Sequence, residues 1–359
     1  MPETIWDVVV VGAGAAGFLA AIAAAERGRR TLLLEKNRKP GVKILMSGGT
    51  RCNLTHGTDN PGIVEAFGPP GKFLHSALAV LGVQETIDLF EAEGVSTKIE
   101  ETGKVFPVSN KAVDVLNALL RRLNRSGAIL ALGEPVQGIE RTGGGIMLST
   151  PQRKISAAKV VLTVGGQSYP GSGTTGDGYG FAAKFGHRIV TPQPALVPIT
   201  VAVEWVKDLQ GVTIPDICLR VLEGDKTLAT RRGSLLFAHF GLSGPAVLDV
   251  SRVIAKHPNP GSLFLEIDFL PFMKEPSLDD FLRNESGISG KKQLAGVLAT
   301  HLPRRVAEVL LAQAGLPIDR KAAALRKEER GQLVQKVKRI RLPIKGTLGF
   351  KKAEVTTGG

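Results

Sequence analysis

Cysteine is scarce in this chain of 359 residues, with only Cys52 and Cys218 present. Two thiols exclude a disulfide framework and a Cys-rich zinc site. The histidines show neither H-x-x-x-H nor H-E-x-x-H spacing, so no metal is expected. Aromatic residues make up 5 % of the chain, which leaves little for stacking on nucleic-acid bases. A long apolar run is missing too. The most apolar helical segment, Phe18 to Ala25, is cut short by Glu26, Arg27 and Arg29, far below the ~20 residues that span a bilayer. The expectation is a soluble protein in a reducing, cytoplasmic setting, with no membrane partner.

Glycine is abundant at 43 residues, and 43 % of the chain is hydrophobic. That is enough for a well-buried core and points to two domains. The glycines suit a fold in which backbone approaches a ligand closely. The net charge is +13 and is unevenly spread, since His301 to Gly359 holds 14 Lys and Arg against 5 Asp and Glu. Such asymmetry fits a polyanionic partner or, equally, a solvated basic face.

Ile5 to Val11 is a short β-branched run of the kind buried in parallel sheets. The sequence GAGAAG follows, then an Ala-rich helix from Ala15 to Arg27, then an apolar strand from Thr31 to Leu34 ending at Glu35. This is the β–turn–α–β crossover of a doubly wound sheet. Helices are expected over Val83 to Glu93 and over Ala112 to Leu123, the latter with Val113, Leu116, Leu119, Leu120 and Leu123 on its apolar face. Strands are expected over Ile129 to Leu132 and Val160 to Val164, with a hairpin around Gly143 to Gly145. From Thr191 the texture changes to prolines and short strand-like runs, followed by a helical subregion.

Gly12, Gly14 and Gly17 form a G-x-G-x-x-G between a strand and a helix, and Glu35 ends the next strand. In that context the pattern is a dinucleotide site. Gly12 makes the tight turn, Gly14 admits a pyrophosphate and Gly17 packs helix on strand. Ala15 opens the helix, whose N-terminus favours phosphate. A carboxylate at Glu35 favours an unphosphorylated adenosine ribose, hence FAD or NAD. The stretch KILMSGGTRCNLTH, from Lys43 to His56, reads as a flexible loop passing the pyrophosphate. Gly48 and Gly49 admit close backbone approach, Arg51 suits negative charge, and Asn53 suits the edge of a heterocycle. Cys52 either donates a proton at the ring or is a small buried hydrophobe.

Five motifs in order, DVVVVGAGAAG, KILMSGGTRCNLT, GKVFPVSNKA, GGQSYPGSGTTGDGYGFAAKFGH and FAHFGLSGPAVLDVSR, resemble a bacterial family of FAD-dependent oxidoreductases. Its members have been described as flavin reductases of bile-acid intermediates, aminoacetone oxidase-like enzymes and a ribosomal-RNA dihydrouridine synthase. The resemblance implies an α/β fold with a Rossmann-like FAD-binding domain of the glutathione-reductase type, an inserted β-rich domain and a small helical subdomain. Its expected bounds are 1–190 for the FAD domain, 191–345 for the insertion, and 346–359 for an apparently truncated return to the first domain. It implies FAD contacts from Gly12, Gly14, Ala15, Gly17, Glu35, Lys36, Lys43, Ser47, Gly48, Gly49, Arg51, Cys52, Asn53, Val136, Thr163, Gly165, Gly166 and Asp177. Cys52, His239 and Tyr169 are the candidates for proton transfer.

The expected reaction is hydride transfer between flavin N5 and an unsaturated or amine substrate. NAD(P)H is the expected transient donor, because no second nucleotide-binding unit is evident. One alternative is an RNA-modifying enzyme of the rRNA dihydrouridine synthase type. It would hold RNA through the basic segment 320–352, which carries 12 Lys and Arg and only Glu328 and Glu329 as acids. The second alternative is a truncated, non-catalytic nucleotide-binding flavoprotein. The oligomeric state is open.

Overall fold

Alternation along the first two strands sets the layers of the N-terminal half. Trp6–Val11 and Thr31–Glu35 pair in parallel, Val8 opposite Thr31 through Val11 opposite Leu34. Val10 and Leu33 point to one face, onto Phe18, Ala21 and Ile22 of helix Ala15–Ala25 and Val115, Leu119 and Leu123 of helix Ala112–Ser126. Val9, Val11, Leu32 and Leu34 point to the other, onto Ile139, Leu148 and Phe181. Both faces are covered, and this accounts for the continuous apolar runs. The six-stranded sheet runs Ile129–Leu132, Thr31–Glu35, Trp6–Val11, Lys154–Leu162, Gly145–Ser149, Gly138–Thr142.

The structure is a computed structural model that describes residues 5–288 and 291–359. The chain divides into two compact units, Met1–Gly166 with Gly171–Arg188, and Gln167–Pro170 with Ile189–Gly359. In the second unit six strands close a barrel in the order Ile199–Val201, Gly241–Ser243, Lys226–Ala238, Thr213–Glu223, Leu263–Asp268, Ile340–Thr347. Helix Pro245–Lys256 buries Val247, Val250 and Ile254 against barrel residues Leu219, Phe237 and Leu265. Leu278, Leu298, Leu310 and Leu333 from the helical region join the same core.

Residues 346–359 group with the second unit, in which Val355–Thr357 pairs antiparallel with Gln193–Ala195. Several expectations are corrected. Lys154–Leu162 is a nine-residue strand that ends before Thr163. Val113 is 45 % exposed, and Val115 takes the buried position instead. Pro69–Ala92, not Phe18 to Ala25, is long and apolar enough to cross a bilayer by length and composition, with 17 % of its apolar window buried. Its backbone leaves the helical region at Leu81 and Gly82.

One polar row braces the barrel wall. Glu266 sits between Arg220 and Arg341 on the flanking strands. Its oxygens accept from Arg220 Nη1 at 2.8 Å and Arg341 Nε at 2.9 Å. Burial alone would push this carboxyl up, but the guanidiniums of Arg341 and Arg220 outweigh it and hold it below the usual carboxylate range. A depressed folded value stabilises the barrel above the unfolded carboxyl pKa and is lost as pH falls through the folded value. Glu266→Gln is therefore expected to lower stability at neutral pH and flatten the acid limb of the stability curve, read by denaturant titration from pH 7 downward. An acid limb as steep as the parent's would contradict this.

Candidate functional site

The turn after the first strand is built from positions that only glycine fills. Gly12 has φ +102°, and a Cβ there would lie 2.7 Å from the Thr163 carbonyl oxygen. A Cβ on Gly17 would lie 1.8 Å from the Gly12 carbonyl oxygen. The Thr163 hydroxyl sits 2.9 Å from both the Val11 and Gly12 carbonyl oxygens and braces the turn. Gly14 differs: its φ is −86° and nothing stands within 4 Å of a Cβ. No side chain caps the helix that begins at Ala15, and its first turn holds no acid. The N-terminal N–H groups there suit an anion.

Glu35 is buried at 8 % exposure. It accepts from the Ala13 N–H through Oε2 and the Asn37 N–H through Oε1, both at 2.8 Å. A carboxylate has about four acceptor positions, so two remain for ribose hydroxyls. The acid thus ties the glycine turn to the end of the second strand as well as facing the cleft.

Two cavities meet here and share Gly12, Glu35, Val164 and Gly173. The smaller, about 50 Å³, is bordered by Val136, Lys36 and Asp177. The larger, about 420 Å³, is walled by Leu19, Ile44, Leu54, Phe90, Val115 and Leu119. Gly14, Ala15, Lys43, Ser47, Cys52, Asn53, Thr163 and Gly165 also border it. An apolar cleft with a few polar groups at one end has the size and character of a cofactor site. An uncapped helix start, an open glycine and a carboxylate with spare acceptors fit the adenosine diphosphate half of FAD.

The segment expected as a flexible loop is a broken helix, Val42–Thr50, with non-helical backbone at Ser47, Gly48 and Gly49. Gly48, Gly49, Thr50 and Cys52 all have positive φ. For Thr50 and Cys52 this is a strained conformation of the kind that clusters at functional sites. The Cys52 N–H donates to the Ser47 carbonyl at 3.0 Å. The Cys52 side chain is buried, which pushes its thiol up, against the opposing effect of a hydrogen bond with Ser47. The Asn53 amide, oriented to donate, reaches the Thr55 and Val105 carbonyls at 2.8 and 3.2 Å.

Other candidates lie elsewhere. Arg51 is paired with Glu100 at 2.6 Å and stacked 3.9 Å over the Phe106 ring. It does not border the cleft, and neither do Gly48 and Gly49. Lys36 is paired with Asp177 at 2.7 Å and bonded to Thr175. The Lys36 hydrogen bond, outweighing burial, lowers the Asp177 pKa. These two residues bind each other in the lining of the smaller cavity. Tyr169 and His239 belong to the second unit. Tyr169 has φ +57° and donates its N–H to the Phe350 carbonyl at 2.9 Å. His239 is exposed at the two-residue tip between strands Lys226–Ala238 and Gly241–Ser243, edge-on to Phe240.

Sequence reading missed Glu134, Asn37 and Phe90. Glu134 is buried and held by Arg153 at 2.8 and 2.9 Å, and it borders the smaller cavity. Asn37 donates to the Ser172 carbonyl at 3.2 Å and fills the space that a Cβ on Gly173 would take. No local pattern marks these residues. Only Phe90 carried a signal, the helical periodicity of Val83 to Glu93.

The chain matches the model of the HI0933-like protein Rossmann domain over residues 6–359. It is 32 % identical over 357 residues to the ribosomal RNA dihydrouridine synthase of Escherichia coli K12, covering 99 % of this chain and 85 % of that protein. The protein of the same name from Haemophilus influenzae is 29 % identical over 357 residues, covering 98 % and 85 %. Among solved structures, the open conformation of a flavocytochrome c3 fumarate reductase aligns with 97 % of this chain and 69 % of its own, at 15 % identity and a TM-score of 0.45.

Proposed function

The chain belongs to the HI0933-like Rossmann family of FAD-binding oxidoreductases, and from that premise we propose that it reduces the C5=C6 bond of uridine in ribosomal RNA, with NAD(P)H as electron donor. The observation that carries this reading is the near-full-length alignment to a protein named for that reaction. FAD, when bound, supplies the hydride-transfer chemistry. The chain's own residues do the rest. Glu35 and the open turn at Gly14 hold the adenosine diphosphate. The apolar wall from Leu19 to Leu119 excludes water from the reacting end.

The reaction adds a hydride to one uracil carbon and a proton to its neighbour while NAD(P)H is oxidised. A group that still carries its proton at neutral pH must face the substrate. Cys52 meets that requirement, because burial keeps its thiol protonated and its strained backbone fixes it at the cleft. Cys52→Ala is expected to leave flavin reduction by NADPH at its parent rate and to slow the RNA step by about 10²–10⁴, the usual worth of a positioned acid. Single-turnover kinetics separate the two steps. Equal slowing of both would remove Cys52 from this role.

A small unsaturated or amine substrate is the second reading, favoured by the apolar lining of the larger cavity. The deciding test incubates the protein with FAD, NADPH and ribosomal RNA without oxygen, then measures nucleoside masses. A gain of two hydrogens on uridine is expected. Unchanged uridine in a protein whose flavin NADPH does reduce would overturn the RNA reading.

A further inference from the structure

Charge in the segment 320–352 is less available than its count suggests. Arg320 pairs with Glu329, Arg330 with Asp279, Lys338 with Asp268, Arg339 with Glu275 and Arg341 with Glu266. Those five cations already have carboxylate partners. Lys321, Arg326, Lys327, Lys345, Lys351 and Lys352 are exposed and in no ion pair among the described residues, and of these Lys351 and Lys352 follow directly on an aromatic residue, Phe350.

Their position is fixed by backbone. Gly349 takes φ +63°, and its carbonyl accepts from the Lys352 and Ala353 N–H groups at 3.2 and 3.1 Å. The turn is anchored at both ends, Leu348 N–H to the Pro198 carbonyl and Glu354 N–H to the Leu196 carbonyl, each at 3.1 Å. Ala353 is fully buried beneath it. The Phe350 carbonyl accepts from the Tyr169 N–H, which fixes the half-buried Phe350 directly before two lysines on the same turn. A rigid pair of cations beside an aromatic residue is the combination that holds single-stranded nucleic acid, phosphates on the lysines and a base on the ring.

We propose that the turn from Gly349 to Ala353 is an RNA-docking element, Lys351 and Lys352 taking adjacent phosphates and Phe350 stacking on a base. This rests on the RNA reading above and narrows it from a basic segment to one turn. Because the turn is pre-ordered, binding does not have to order it, and each lysine keeps its full counterion-release effect.

The test measures affinity of the FAD-loaded protein for a single-stranded ribosomal RNA fragment by fluorescence anisotropy across a salt series, with melting temperature confirming the fold of each variant. For single strands each phosphate contact contributes about 0.7 to the slope of log K against log salt. Lys351→Gln with Lys352→Gln is expected to reduce that slope by about 1.4. Arg339→Gln, which removes a cation already paired with Glu275, is expected to leave it unchanged. Phe350→Ala is expected to weaken binding about tenfold with the slope intact, since stacking is not ionic. A parent protein that binds RNA with a steep slope, while the double lysine variant keeps that slope, would overturn the docking turn alone. A parent that does not bind RNA at all would overturn the RNA reading and the docking turn with it.

Discussion

Gly17→Ala is expected to unfold the first unit well below the parent's melting temperature, whereas Gly14→Ala, three residues earlier, is expected to leave that temperature nearly unmoved in flavin-free protein. The two glycines belong to one motif but meet different surroundings. A Cβ on Gly17 would sit 1.8 Å from the Gly12 carbonyl oxygen and 2.8 Å from Thr163 Oγ1. The first of these is backbone and cannot swing away. Helix and strand must separate, at a cost above the ~1–3 kcal/mol of ordinary overpacking. For a domain of this size that is a fall of roughly 6–12 °C or more. A Cβ on Gly14 meets nothing, and its backbone is in an ordinary extended region. It instead fills the space a pyrophosphate needs, so FAD affinity should fall about tenfold or more, as a similar overpacking cost implies. Thermal melts with and without FAD check both. Equal melting losses in the two variants would contradict the account.

Glu35→Ala is expected to weaken FAD binding about 100-fold and to destabilise the flavin-free protein as well. The carboxylate accepts from two backbone N–H groups, Ala13 and Asn37, in a site only 8 % exposed. Removing it orphans both donors, and each orphan costs about 1–3 kcal/mol. Loss of the spare acceptors removes the ribose contacts on top of that. Glu35→Gln makes the point sharper: its amide keeps one acceptor oxygen but sets an N–H against the second backbone donor. Its affinity should fall between parent and Glu35→Ala, measured by titration calorimetry. Parent-like FAD affinity in Glu35→Ala would place the ribose elsewhere.

What could be read from the residues alone follows the range of the interaction that fixes each part. The glycine turn is legible because its constraint is local, a backbone that passes too close for any Cβ. Glu35 is legible for the same reason, at a set distance from that turn. Arg51 misled because its neighbours in sequence border the cleft, while the carboxylate and ring that capture it, Glu100 and Phe106, are some fifty residues away. The barrel is hidden in the same way. Thr213–Glu223 and Lys226–Ala238 form a local hairpin, but closure depends on Ile340–Thr347 pairing with Leu263–Asp268 and Ile199–Val201. The basic C-terminal segment looked like a polyanion site by count, and only its ion pairs reveal which lysines are available.

The measurement closest to the central claim is the visible absorption spectrum of the purified protein before and after addition of FAD. The account predicts the two visible bands of an oxidised protein-bound flavin, retained through gel filtration and lost in Gly14→Ala and Glu35→Ala. A folded, colourless protein that takes up no FAD would contradict it.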